Sequence, residues 1–161
     1  HYMNHYVLDY NEEVAQNYFV QSKEIIRFYE KYFGDYQWWD DGYKLIEAPY
    51  LGMEHQSAVT YGNGFSIYNG VRSDSWAMYG VIDPLIIHES GHEWFGNSVT
   101  AIDPTHIWIH EGLQVYSEAL YFEDKYLISE PNWPFEPVTN IFIKLISPYT
   151  YSSLTFLRII S

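Results

Sequence analysis

The hydrophobic and polar positions along this chain change period several times. Over residues 11–33, Val14, Tyr18, Phe19, Ile25, Ile26, Tyr29 and Phe33 recur at helical spacing, which predicts one long amphipathic helix closed by Gly34. Asp40-Asp41-Gly42 predicts a turn, and residues 43–47 a strand stopped by Pro49. A second extended segment is expected within residues 52–64, around Ala58-Val59-Thr60-Tyr61, with flanking glycines that let backbone approach a ligand. Residues 70–80 read as loop. At Asp83 the helical period returns. Asp83 reads as an N-cap, Pro84 as the first helical residue and Leu85-Ile86-Ile87 as a buried run, which predicts a helix over 84–97. Beyond Asp103-Pro104, a second and largely buried helix is expected over 106–125, through Ile107, Trp108, Leu113, Val115, Tyr116 and Leu120. Prolines and aromatics interrupt 129–137, and a last helix is expected over 151–160. A helix, a short sheet and then helices make the fold class α+β, and 161 residues suit one domain with a proper core.

Composition narrows the functions available. Seventeen Tyr and six Trp predict thick amphipathic packing or an aromatic-walled cleft. A net charge of −13 argues against nucleic acid or an anionic membrane as partner, and is compatible with a cationic ligand such as a peptide α-amine. The absence of cysteine excludes disulfides, Cys-ligated zinc and thiol catalysis, and it leaves the compartment open. No stretch has the apolar length of a membrane span; the best run, 141–146, contains Lys144. The chain opens at His1 without a signal peptide, which fits a mature product, a fragment or a trimmed chain.

The chemistry concentrates in His88-Glu89-Ser90-Gly91-His92. Residues four apart share a helix face, so His88 and His92 can present two imidazoles to one metal ion, with Glu89 on the adjoining edge. Glu111, nineteen residues after His92, offers an anionic third ligand. Two His, one Glu and an open fourth position make the pattern of a catalytic zinc site holding one ion. Alone, the motif also fits a surface helix with solvated histidines. Its apolar setting argues otherwise, because buried imidazoles and carboxylates need partners. Glu118, two turns after Glu111 on the same face, reads either as an acceptor that fixes a zinc-bound His or as a solvated residue. His106 and His110 read as structural or cleft-lining, and His1 and His5 carry no role.

Further stretches resemble the aminopeptidase N family of gluzincin zinc metallopeptidases. His88 to Asn97 resembles its zinc helix, in which Trp-Phe-Gly-Asn follows the second His. His110-Glu111-Gly112 with Tyr116 and Glu118 resembles its second block, and Leu51-Gly52-Met53-Glu54-His55 its Gly-Ala-Met-Glu-Asn motif. Phe33-Gly34-Asp35-Tyr36 also fits, with Gln37 where a Pro is usual. The resemblance implies a thermolysin-like catalytic domain with a small sheet and a zinc-bearing helix pair, acting on peptide amino termini. It implies that Glu54 binds the substrate α-amine beside Gly52 and Met53, and that Glu89 is the catalytic base. Tyr149 is a candidate catalytic oxyanion donor, although Tyr151 and Ser152 replace the family's Lys and Gly and 129–161 departs in spacing. The family's flanking domains lie outside these 161 residues. The chain thus reads as a single catalytic domain, 1–161, or a fragment of a larger chain with contacts to such domains. A thermolysin-like endopeptidase and a non-catalytic binding module retaining the fold are the alternatives.

Overall fold

The helical pattern of residues 11–33 resolves into two helices in the computed structural model, which describes residues 2–65 and 82–127. They are α1 (Glu12–Phe19) and α2 (Ser22–Phe33). The break has a local cause: the Gln21 amide donates to Tyr18 O at 2.7 Å and the Ser22 hydroxyl to Phe19 O at 2.7 Å, taking carbonyls that a continuous helix would use. Gly34 ends α2 as expected, at φ 93°.

Among the described residues, four strands form one mixed sheet in the order β1-β2-β4-β3. β1 is Met3–Tyr6, β2 Tyr43–Glu47, β3 Gly52–Met53 and β4 Val59–Tyr61. β1 pairs parallel to β2 with Met3 opposite Tyr43, and β2 parallel to β4 with Leu45 opposite Val59. β3 runs antiparallel to β4 with Gly52 opposite Tyr61, at the sheet edge. The single extended segment expected over 52–64 is therefore a strand pair. Gly62, just past β4, lets the chain entering β3 come close, since a Cβ there would lie 1.5 Å from Tyr50 O.

The core lies between this sheet and the helices. Tyr18, Phe19, Ile25, Ile26 and Tyr29 meet Tyr43, Leu45, Val59 and Tyr61, together with Ile86 and Ile87 of α3 (Pro84–Gly91). Phe19, Tyr61 and Phe65 pack edge-on or tilted with centroids 5.2–5.5 Å apart. Tyr29 stacks on Trp94 at 5.0 Å. Many aromatics thus serve the core. Asp83 is wholly buried at its heart: its carboxylate caps Leu85 N and accepts from the hydroxyls of Tyr18 and Tyr61 and the Asn63 amide. Burial first, and the Asp83 charge second, push both tyrosines upward in pKa.

α4 (Glu111–Phe122) follows a short 3₁₀ segment. The chain divides into two compact units, His1–Glu118 and Ala119–Ser161. Of the second, the described part holds the end of α4 and a π-helical turn, Glu123–Leu127. Among the described residues no helix is long and apolar enough to cross a membrane. The loop expected over 70–80, the interruption over 129–137 and the helix over 151–160 lie outside the described residues.

Candidate active site

Asp83 begins α3 as the sequence predicts, with Oδ1 accepting from Leu85 N at 2.9 Å. The helix ends at Gly91, not at residue 97. Gly96, at φ 139°, turns the chain. The amides of Asn97, Ser98 and Val99 bond carbonyls five residues back instead of four. His92 is consequently the first residue past the helix, 1% exposed, with its ring still beside that of His88. The two Nε2 atoms are 3.1 Å apart.

The segment that carries Glu111 also departs from expectation. Where a helix over 106–125 was predicted, Pro104–Ile109 is a 3₁₀ segment capped by Asp103 and kinked at His106, and α4 starts at Glu111 itself. Ile107, Trp108 and Val115 are exposed rather than buried. The inward face of α4 carries Gln114 and Ser117, both fully buried, because its neighbours present hydrogen-bonding groups there.

Glu111 Oε2 lies 3.4 Å from His88 Nε2 and 3.7 Å from His92 Nε2. Ligand atoms of His88, His92 and Glu111 fall within 4.8 Å of one another, a group that could hold a metal ion. Tautomers sharpen the point. His92 Nδ1 donates to Phe95 O at 2.8 Å. Burial, outweighing that bond, lowers the His92 pKa, so the neutral ring turns a lone pair from Nε2 toward His88. His88 Nδ1 donates to Glu118 Oε1 at 2.7 Å, which assigns Glu118 the orienting role. Burial works to lower the His88 pKa, but the bond and charge of Glu118, with Glu89 and Glu111, raise it overall. The nitrogens and carboxylate converge in a way that suits either a proton shared through His88 or a cation bound by all three. Two imidazole nitrogens and a carboxylate form a donor set that fits zinc.

Glu89 is 8% exposed and stands beside this trio. Burial, reinforced by Glu54, Glu111 and Glu118 and opposed by His88, pushes its carboxyl up to about 7. It lies against the backbone of β3: a Cβ at Gly52 would come 2.6 Å from Glu89 Oε1. Half-buried Glu54 follows β3 directly, with Met53 exposed beside it. Asn97 Nδ2 donates to Glu54 O at 2.9 Å, and Ser57 N to Glu93 Oε1 at 2.7 Å. Both bonds tie the Glu54 loop to the turn after His92, and neither was foreseen from the sequence. His110 turns Nε2 to Ala101 N at 2.9 Å and His106 is exposed, so neither joins the trio. Tyr149 lies outside the described residues.

Two imidazoles and two carboxylates gathered on a helix pair are the arrangement of the H-E-x-x-H metallohydrolases. Residues 18–141 match the Peptidase family M1 domain, and the chain belongs to peptidase family M1, the family of aminopeptidase N. It is 28% identical to aminopeptidase Ey of Gallus gallus over 117 residues, 68% of this chain and 11% of that protein. It is 32% identical to endoplasmic reticulum aminopeptidase 2 of Homo sapiens over 131 residues, 74% of this chain and 13% of that protein. Among solved structures, a two-domain M1 zinc metallopeptidase bound to L-tryptophan aligns with a TM-score of 0.49 at 23% identity, covering 65% of this chain and 21% of that one. The chain thus spans about a tenth of the length of the curated relatives it matches.

Proposed function

We propose that the chain is the catalytic domain of a zinc aminopeptidase, removing residues from the amino termini of peptides. The observation that carries this reading is the convergence of His88, His92 and Glu111 within 4.8 Å beside the buried carboxylate of Glu89. The reading takes residues 1–161 as one thermolysin-like catalytic domain of a longer chain, in contact with flanking domains. His88, His92 and Glu111 would hold one zinc ion. When bound, zinc supplies a Lewis acid that polarises the scissile carbonyl and acidifies the attacking water.

Glu89 accepts a proton from that water and returns it to the leaving amine as the C–N bond breaks. A carboxyl held near 7 suits both tasks, basic enough to take the proton and acidic enough to release it. Gly52 and Met53, on the edge strand, offer backbone groups to an extended peptide. Glu54 pairs with the α-ammonium, which restricts cleavage to the first residue. Tyr149 is kept as the candidate donor to the tetrahedral oxygen, on the family resemblance alone.

Hydrolysis of an aminoacyl 4-nitroanilide tests the proposal against its acetylated counterpart. Cleavage of the free amine only, lost on chelation and restored by zinc, is expected. In Glu54→Ala the preference for the free amine should fall about 10–100-fold, since one charge-assisted pair is removed. Equal cleavage of blocked peptides would establish an endopeptidase instead. Full zinc occupancy without hydrolysis would establish a binding module. Gly52→Ala is expected to push Glu89 aside and lower kcat/KM about 100-fold with zinc retained, by anilide kinetics and metal analysis. Unchanged kinetics would show that Glu89 accommodates the methyl group without losing its position.

A further inference from the structure

α3 and α4 meet along two adjacent strips. On one, Glu111 and Glu118 face His88 and His92. On the other, Gln114 and Ser117 face Ile87 and Gly91, and every polar contact there is buried. The Gln114 amide nitrogen donates to Tyr29 OH at 2.7 Å and to Ile87 O at 3.1 Å. Ile87 O can only accept, which fixes the amide with its nitrogen toward α3. Ser117 Oγ lies 2.9 Å from Tyr29 OH and 3.2 Å from Gln114 Oε1, and Tyr29 OH also reaches Ile87 O at 3.1 Å. The knot therefore joins the residue before His88 to the residue three after Glu111.

Gly91 makes this approach possible. A Cβ on it would stand 2.0 Å from Gln114 Oε1, 2.2 Å from Tyr29 OH and 2.4 Å from Gln114 Nε2, all inside contact distance. Nothing larger than glycine fits between the two histidines while the amide keeps its place. An apolar side chain at 114 would pack there too, but it would remove the amide donor shared by Tyr29 OH and Ile87 O, leaving only the Tyr29 hydroxyl, with Ser117, to hold the buried contact. The amide thus fixes both the distance between α3 and α4 and their register along the shared face. Glu111 is on the first turn of α4, 50% exposed at its side chain, with no hydrogen bond to another side chain among those described that would hold it in place. Its placement depends on where α4 is anchored.

We propose that Gln114, seated on Gly91, is a positioning residue for the third metal ligand: it sets the reach of Glu111 to the His88 and His92 pair. This rests on the reading of that trio as a metal site. Gln114→Met keeps length and bulk but removes the amide. It is expected to weaken zinc binding about 10–100-fold, by competition against a chromophoric chelator, and to alter the visible bands of the cobalt-loaded chain. Gly91→Ala, which displaces the amide without changing it, should move both readouts the same way. Ser117→Ala removes one hydroxyl from the knot and should produce a smaller shift in that direction, which keeps the test decisive if Gln114→Met does not fold. Unaltered zinc affinity and cobalt bands in a folded variant, with stability lowered equally in the apo and zinc-loaded forms, would make Gln114 a packing residue only and overturn the proposal. Absence of zinc binding by the unsubstituted chain would overturn the metal-site reading, and this proposal with it.

Discussion

Glu89→Gln is expected to remove hydrolysis and leave zinc in place. The amide has nearly the shape of the carboxylate, so the packing against Gly52 survives. It cannot take a proton from water, and general-base catalysis of this kind contributes about 10²–10⁴-fold. Glu89 is not among the three residues whose ligand atoms converge, so metal content should be unchanged. Stability should hold or rise slightly, because the substitution removes a carboxylate from a site it shares with Glu54, Glu111 and Glu118. Anilide kinetics and zinc analysis on one sample decide the matter. Activity within tenfold of the unsubstituted chain would mean that another group is the base.

The second large effect is on stability. Asp83→Ala is expected to cost about 3–5 kcal/mol, measured by urea unfolding, as the sum of several lost partners. The Tyr18 and Tyr61 hydroxyls, the Asn63 amide and Leu85 N all donate to this one buried carboxylate. Removing it strips four donors of their shared acceptor, three of them on buried residues (Tyr18, Tyr61 and Leu85). The loss is about a fifth or more of the stability of a typical domain, at roughly 5–15 kcal/mol. Because Asp83 also starts α3, zinc affinity should fall in the same variant. A change under about 1 kcal/mol would show that water reaches the cluster and replaces the carboxylate.

Which features were legible follows from how local their causes are. His88 and Glu89 lie in the last turn of α3 and His92 caps it, and Glu111 and Glu118 share a face of α4, so simple spacing brought them together. The end of α3 was not legible. Trp94 and Phe95 continue the apolar pattern, yet they pack on the end of α2, with Trp94 Nε1 donating to Gly34 O and the Phe95 ring 5.0 Å from that of Phe33. The inward face of α4 was missed because hydrophobic periodicity looks for apolar residues, and here Gln114 and Ser117 are buried as well as Tyr121 and Phe122. A polar pair three apart among the apolar residues of α4, together with a glycine between two histidines, was the available signal. β1 escaped because Met-Asn-His-Tyr has no alternation and is largely exposed at the sheet edge.

The two histidines owe their orientation to partners at different distances along the chain. His92 is aimed by a carbonyl three residues on, and His88 by a carboxylate thirty residues on. A peptide cut out around α3 would carry the means to aim one ring and lose the means to aim the other. Grafting the motif onto another scaffold therefore requires α4 as well, and the smallest portable form of this centre is a helix pair.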